Sequence, residues 1–393
     1  RVLYFLRGIM NRHVAISPEG ERLHFSRSRL VLPDGPATLV RAPGAQESQD
    51  ADTALFKAAH WIGDGPVFVM GPGAAASALW AARSGAEVMI WTDSLAEAET
   101  ITATFKENSC TAPRLYCQAD FVGMEPASCG TALVYLPRGR ELQAEALRLA
   151  AALLRPGGKL VFVGATREGV RTVIKEAREF FGQAGVLAQK GGYHAAIAQR
   201  SAEEALLPEV DYRETLVTLE DCDTRVISGP GVFAGDRLDE GAASLIAGMR
   251  IEPGAEVLDL GCGTGLVGLA AQRRGAVVTL VDVSQRAVAS SRRTFAANGY
   301  TDCTACASIG ASTVAGRSFD TVVTNPPFHK GHGVDFEVAQ LFVGDAARVL
   351  RPGGRLYLVA NAFLEYGSWL RRHFANSEVV WENTRFRVWE ARK

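Results

Sequence analysis

Short apolar runs alternate with longer stretches in which apolar positions recur every three or four residues. Residues 256–260, 277–281, 319–323 and 355–360 are strand-length runs rich in Val and Leu, whereas 266–274, 285–298 and 338–350 carry the helical period. Strands that are apolar at consecutive positions, separated by amphipathic helices, indicate a mainly parallel sheet covered on both faces, an α/β fold. The pattern then predicts a short helix over 368–374 and a basic, alternating strand over 384–389, suited to join the sheet antiparallel. Upstream, 212–219 and 224–228 read as a β hairpin leading into Gly229-Pro230-Gly231-Val232-Phe233, and 236–249 as a helix.

The same pattern occurs twice. Leu154-Arg155-Pro156-Gly157-Gly158-Lys159-Leu160 returns as Leu350-Arg351-Pro352-Gly353-Gly354-Arg355-Leu356. An offset of 190 residues lays Val67-Phe68-Val69-Met70-Gly71-Pro72-Gly73 on Val257-Leu258-Asp259-Leu260-Gly261-Cys262-Gly263, Phe105 on Phe295 and Pro137 on Pro327. A period this long marks a duplicated domain, not a solenoid. Two tandem α/β domains are therefore expected, residues 1–200 and 205–393, with 201–208 as the linker.

Composition adds bounds. At 393 residues, 47% apolar and 22% charged, the chain can bury two full cores. No apolar run approaches the ~20 residues that span a bilayer, and the Arg-containing N-terminus lacks a signal-peptide core, so no membrane association and a cytoplasmic location are expected. The chain starts at Arg1 and nothing is drawn from that end. The seven cysteines are scattered, and Cys303-Thr304-Ala305-Cys306 has no second pair to complete a zinc site, so it reads as strand and no metal is expected. A net charge of −1 weighs against gripping nucleic acid by bulk electrostatics. Residues 1–200 hold 22 basic and 19 acidic side chains and 201–393 hold 20 and 24, which assigns any basic docking face to the first half.

Candidate chemistry begins at Asp259-Leu260-Gly261-Cys262-Gly263-Thr264-Gly265, between a strand and a helix. Glycines there let the backbone turn sharply and let a ligand approach the main chain, while the helix N-terminus offers free N–H groups. Asp282 ends the next strand, 21 residues after Gly261, where a carboxylate can accept from both ribose hydroxyls of an adenosine. Gly263-Thr264-Gly265-Leu266-Val267-Gly268 also fits the dinucleotide pattern G-x-G-x-x-G. Asp259 decides between cofactors: a carboxylate beside a pyrophosphate is repelled, whereas the ammonium and sulfonium of S-adenosylmethionine suit it.

Downstream lies Thr324-Asn325-Pro326-Pro327-Phe328. Two prolines stop the preceding strand from pairing further and hold Asn325 out of helix, so its amide is presented at a strand end, followed by an aromatic ring. That combination suits a planar base.

Asp259 to Gly265, Asp282 and Asn325 to Phe328 resemble the class I S-adenosylmethionine-dependent methyltransferases that modify exocyclic or amide nitrogens, whose signature is (N/D/S)-P-P-(Y/F/W). The phenylalanine form followed by His329, the later Val359-Ala360-Asn361-Ala362-Phe363-Leu364 and the duplication look more narrowly like the bacterial ribosomal RNA guanine-N2 methyltransferases of the RsmC type. The resemblance implies two Rossmann-like domains with mainly parallel seven-stranded sheets, S-adenosyl-L-methionine as cofactor, and ribosomal RNA or a ribosomal subunit as partner of a monomeric enzyme. The substrate it implies is the N2 amine of one guanine, in 16S RNA of the small subunit. Catalytic roles then fall to Asn325, Pro326, Pro327 and Phe328. Cofactor contacts fall to Asp259, Gly261, Gly263, Gly265, Asp282, Val283, Ala307, Ser308 and Asn325. Where many relatives place an acid for the adenine amine, this chain has Ala307-Ser308, so Ser308 or backbone is expected to serve.

An exocyclic purine amine is a poor nucleophile because its lone pair is delocalised into the ring. If the Asn325 oxygen and the Pro326 carbonyl accept its two hydrogens, the lone pair is turned toward the methyl donor. Phe328 would stack on the base, worth ~1–3 kcal/mol, and a base within a helix must first be splayed or flipped out. Neither a metal nor a covalent nucleophile is needed. His329 and Lys330 are either RNA phosphate contacts or solvated, and Arg385 and Arg387 read as a solvated strand face. Methylation of adenine N6 or a protein glutamine amide stays open, as does a non-catalytic RNA-binding or ribosome assembly factor.

In the first copy the offset of 190 puts Val69, Ala75, Thr92, Tyr135 and Arg138 at the positions of Asp259, Gly265, Asp282, Asn325 and Phe328. Residues 1–200 are thus expected to keep the fold without binding cofactor, in a substrate-docking or structural role.

Overall fold

The computed structural model describes residues 25–45, 49–57, 65–201, 206–233, 238–314, 316–327, 333–364 and 366–393. The first copy comprises hairpin strands β1 (Ser26–Leu32) and β2 (Gly35–Arg41), helix α1 (Gln49–Lys57), then β3 (Val67–Met70), α2 (Ala75–Arg83), β4 (Val88–Thr92), α3 (Leu95–Glu107) and β5 (Arg114–Cys117). It continues through β6 (Cys129–Tyr135), α4 (Arg140–Leu153), β7 (Leu154–Ala165), α5 (Val170–Phe181), β8 (Ala184–Lys190) and β9 (Tyr193–Gln199). The second repeats the plan: β10 (Arg213–Leu219), β11 (Cys222–Ser228), α6 (Glu240–Gly248), β12 (Glu256–Leu260), α7 (Leu266–Arg273), β13 (Val277–Asp282) and α8 (Gln285–Ala297). After it come β14 (Thr304–Ala307), β15 (Phe319–Thr324), α9 (Gly333–Val349), β16 (Leu350–Asn361), α10 (Gly367–His373), β17 (Asn376–Glu382) and β18 (Phe386–Arg392).

The two large sheets have the orders β5-β4-β3-β6-β7-β9-β8 and β14-β13-β12-β15-β16-β18-β17. Five strands of each run parallel, and the last two join antiparallel. All seven residues of β6 are buried, as a strand covered on both faces requires. In the second sheet the chain leaves β12 to one side for β13 and β14 and returns to the other for β15. The crevice at the carboxyl ends of β12 and β15 is thus the topological switch point, the place where such sheets bind ligands. Among the described residues no helix is long and apolar enough to cross a membrane.

The final antiparallel strand forms as expected, at Phe386–Arg392, but it lies between β16 and a further strand, β17, that the pattern did not reveal. The reason is local. β17 is an edge strand, exposed or half-buried throughout and interrupted by a register shift between Val379 and Trp381, so it shows no alternation. The helix expected over 236–249 spans Glu240–Gly248, because the Asp239 side chain accepts from the Ala242 N–H at 2.7 Å and caps it there.

The hairpin before the second copy has a counterpart, since β1–β2 and β10–β11 are both seven-residue pairs in antiparallel register. Each hangs on the helix after the second strand of its sheet through a ladder of side chains. Asn298 accepts from the Arg225 N–H (3.2 Å) and donates to its carbonyl (2.7 Å), Thr294 accepts from Ile227 (2.9 Å), and Ser290 from Gly229 (3.0 Å). In the first copy Asn108 treats Thr38 the same way (3.1 and 2.7 Å), Thr104 accepts from Val40 (3.0 Å) and Thr100 from Ala42 (2.9 Å). The match is geometric: four helical residues rise about 6 Å and two strand residues about 6.6 Å, so every fourth helix position meets every second strand N–H.

Candidate functional site

Three strand ends build the site. At the end of β12, Asp259 is buried and its Oδ2 accepts from the Gly268 N–H at 2.8 Å, so the carboxylate braces the first turn of α7. Burial pushes this carboxyl up to about 7; the Gly268 bond opposes the shift and the Asp282 charge adds to it.

Gly261, Gly263 and Gly265 all have positive φ, at 78°, 53° and 80°. They differ in what surrounds them. A Cβ on Gly261 would come within 2.8 Å of the Phe342 ring and one on Gly265 within 2.8 Å of Ser291, whereas one on Gly263 would meet nothing within 4 Å. Helix packing thus requires the outer two, and Gly263 is where a ligand can approach the main chain.

At the end of β13, half-buried Asp282 uses Oδ2 to accept from the Gly263 N–H and Oδ1 to accept from the Ser284 N–H, both at 2.9 Å. Burial pushes its carboxyl up, against the pull of these donors. A carboxylate oxygen has more than one acceptor site, so both remain competent toward ribose hydroxyls. Val283 is exposed, and its carbonyl accepts from the Leu95 N–H of the first copy at 2.9 Å. Ala307 pairs with Asp282 in parallel register, and the Ser308 N–H donates to the Asp282 carbonyl at 2.8 Å. The buried Ser308 hydroxyl accepts from the Thr313 N–H at 3.2 Å and so holds the turn that follows it.

The third end is β15. The Thr324 hydroxyl donates to the Leu260 carbonyl at 2.7 Å, locking β15 to β12 just before Asn325. Asn325 is half-buried, Pro326 buried and Pro327 exposed, all outside regular structure; Phe328, His329 and Lys330 lie outside the described residues. The Asn325 Nδ2 donates to Asp239 Oδ2 at 2.8 Å, the same oxygen that caps α6. The start of α6 rests directly on this pair, for a Cβ on Gly241 would stand 2.9 Å from Asp239 Oδ2 and 3.2 Å from Asn325 Oδ1. Sequence reasoning missed Asp239; the available signal was an Asp standing just before a helical run. Arg385 pairs with Glu240, and Arg387 with Glu382 at 3.2 Å.

The corresponding region of the first copy is built differently. Tyr135, at the Asn325 position, is buried and donates its hydroxyl to buried Asp52 of α1 at 2.5 Å. The hydroxyl of Thr92, at the Asp282 position, accepts from the Ser94 N–H at 3.1 Å. Arg138, at the Phe328 position, pairs with Glu168 at 2.9 Å.

The second copy therefore sets a half-buried carboxylate, an open glycine turn at a helix start and an oriented side-chain amide around one switch-point crevice. These groups fit S-adenosylmethionine: Asp282 for the ribose, and Gly263 with the α7 N-terminus for the amino-acid end.

Comparison with known proteins agrees in both halves. The family described as Methyltransferase small domain matches residues 223–390, and Methyltransferase small domain N-terminal matches 55–189. The chain is 38% identical over 269 residues to Ribosomal RNA small subunit methyltransferase C of Pseudomonas aeruginosa (strain LESB58), covering 67% of this chain and 79% of that protein. It is 36% identical over 264 residues to the protein of the same name from Hahella chejuensis, covering 66% and 76%. Among solved structures, a T. thermophilus 16S rRNA N2 methyltransferase (RsmC) in complex with AdoMet and guanosine superposes with a TM-score of 0.83 at 28% identity, covering 94% of this chain and 98% of that one. The chain belongs to the ribosomal RNA small subunit methyltransferase C family.

Proposed function

We propose that residues 205–393 transfer a methyl group from S-adenosylmethionine to the exocyclic N2 amine of a guanine in 16S ribosomal RNA, and that residues 1–200 keep the fold without holding cofactor. One observation carries the reading: the Asn325 amide stands at the carboxyl end of β15, across the switch point from open Gly263 and from Asp282. S-adenosylmethionine supplies an electrophilic methyl when bound. The Asn325 oxygen and the Pro326 carbonyl accept the two hydrogens of the amine and turn its lone pair toward that methyl. As the new N–C bond forms and the methyl's bond to sulfur breaks, its electron pair staying on sulfur as a neutral thioether, both oxygens would face the positive charge growing on nitrogen, and one amine proton then leaves to water. Phe328 follows the two prolines and stacks on the extruded base. In the first copy, Tyr135 and Asp52 stand where an amide and an approachable strand end would be needed.

Labelled S-adenosylmethionine incubated with 16S RNA, free small subunits and protein extract, followed by digestion to nucleosides, tests the reading. Label is expected in N2-methylguanosine. Label confined to N6-methyladenosine or to protein glutamine would reject it, and cofactor binding with no transfer to any of the three would leave a non-catalytic assembly factor.

A further inference from the structure

We infer that Asp239 is a positioning residue for methyl transfer: its carboxylate selects the orientation of the Asn325 amide, so that oxygen and not nitrogen meets the substrate amine. The inference rests on the methyl-transfer reading above. An asparagine amide has two ends of nearly equal shape and opposite hydrogen-bonding sense, and nothing in the residue itself chooses between them. Only the oxygen can accept from an amine; the NH₂ turned toward it would oppose donor to donor.

Asp239 makes that choice. A carboxylate accepts and never donates, so the Nδ2 end must face it, as it does at 2.8 Å. The Oδ1 end is then the one turned away. Asp239 is itself held, since the same Oδ2 accepts from the Ala242 N–H at 2.7 Å, at the N-terminus of α6. Gly241 lets that helix start press on the pair: a Cβ there would stand 3.2 and 3.3 Å from the two ends of the Asn325 amide. The charge has a second effect. Donating to an anion polarises the amide and makes its oxygen a stronger acceptor, and the anion lies one amide away from the nitrogen that becomes positive as the methyl arrives.

Capping alone is the competing role, and Asp239→Ser separates the two. Ser is as good an N-cap as Asp, so the helix start and the melting temperature should be kept. A hydroxyl carries no charge and can donate as well as accept, so it no longer compels the Nδ2 end of Asn325 to face it. We expect kcat to fall roughly 10–100-fold, by analogy with the range seen when the partners that orient metal-ligating side chains are removed. KM for RNA, the Kd for S-adenosylmethionine and the thermal midpoint should stay near those of the unsubstituted protein. In the Asn325→Ala background, Asp239→Ser should cause no further loss, because its route to the substrate is gone. A kcat kept in Asp239→Ser, or losses that multiply in the double variant, would overturn the inference. Failure of the unsubstituted protein to form N2-methylguanosine would instead reject the methyl-transfer reading, so the two failures are distinct.

Discussion

Ser94 and Ser284 pair with each other as an antiparallel β-bridge, and they are the same position of the two copies, 190 residues apart. The flanking bonds obey the same symmetry. The Leu95 N–H donates to the Val283 carbonyl at 2.9 Å and the Gln285 N–H to the Asp93 carbonyl at 2.7 Å, each the 190-residue image of the other. The two copies thus meet about a local two-fold axis, through the loops that follow β4 and β13. Side chains break the symmetry. Ser284 donates to Asp93 Oδ2 at 2.7 Å, and Arg286 enters the first copy to pair with Glu145 at 2.7 Å, donate to the Ala119 carbonyl at 3.1 Å and lie 4.8 Å from the Trp91 ring centre. The loop carrying Asp282 and Val283 is therefore held in part by the first copy.

The Arg286–Glu145 pair has side chains only 2% and 7% exposed. Burial pushes the Glu145 carboxyl up, and Arg286 draws it back. Glu145→Ala leaves a guanidinium buried without its anion, so it should destabilise the chain by roughly 3–5 kcal/mol, whereas replacing both residues by Met should cost much less. Denaturant unfolding of the two variants checks this. A single-variant loss under about 1 kcal/mol would mean that water reaches the pair.

The side-chain ladders make a matched prediction for the two hairpins. Thr104→Val and Thr294→Val each keep shape while leaving a strand N–H without its acceptor, of Val40 in one case and Ile227 in the other. Each should cost about 1–3 kcal/mol, and the two losses should add, because they lie in separate copies. Cofactor affinity should be unchanged in both variants.

How far the site was legible depended on whether a residue type answers to its own local backbone. The strand at 256–260 and the helix begun at 285 were readable from periodicity, and the glycine turn from residue type, since glycine takes without strain the positive φ that Gly261, Gly263 and Gly265 share. The Asn325–Asp239 bond joins residues 86 apart, and no periodicity reports it. Residue type also does not show how a side chain is engaged within the protein: the Ser308 hydroxyl, expected with the backbone to serve adenine, also accepts from the Thr313 N–H, and one oxygen of Asp259 accepts from the Gly268 N–H beneath α7. Phe328 falls among the residues the structure does not describe.

Calorimetric titration with S-adenosylmethionine should give one site per chain. Asp282→Ala removes an anchor of the Gly263 and Ser284 N–H groups together with the carboxylate proposed to accept from two ribose hydroxyls. Two hydrogen bonds to a charged group at about 1.5–3 kcal/mol each imply a loss of affinity of about 10²-fold or more. Tyr135→Phe, in the first copy, should leave stoichiometry and affinity alone while lowering stability through the loss of its hydrogen bond to Asp52. Two sites in the unsubstituted chain would refute the account of the duplication.

The raised Asp259 carboxyl predicts that cofactor binding depends on pH. Burial pushes that carboxyl up to about 7 in the free protein, so between about pH 4 and 7 it carries a proton that the unfolded chain, with an Asp pKa of about 3.9, largely lacks. By linkage the stabilisation is fully present below about pH 4 and is lost as pH rises through about 7. A cationic ligand in the crevice favours the ionised form, so binding below pH 7 must expel the proton. Apparent affinity for S-adenosylmethionine should therefore rise as pH increases from 6 to 7.5, by up to roughly tenfold per unit, with proton release visible as a dependence of binding heat on the buffer's ionisation enthalpy. Asp259→Asn can still accept from the Gly268 N–H but carries no titrating group, and it should abolish both the pH dependence and the proton release. A wild-type affinity flat over that range would show that Asp259 is already ionised in the free protein.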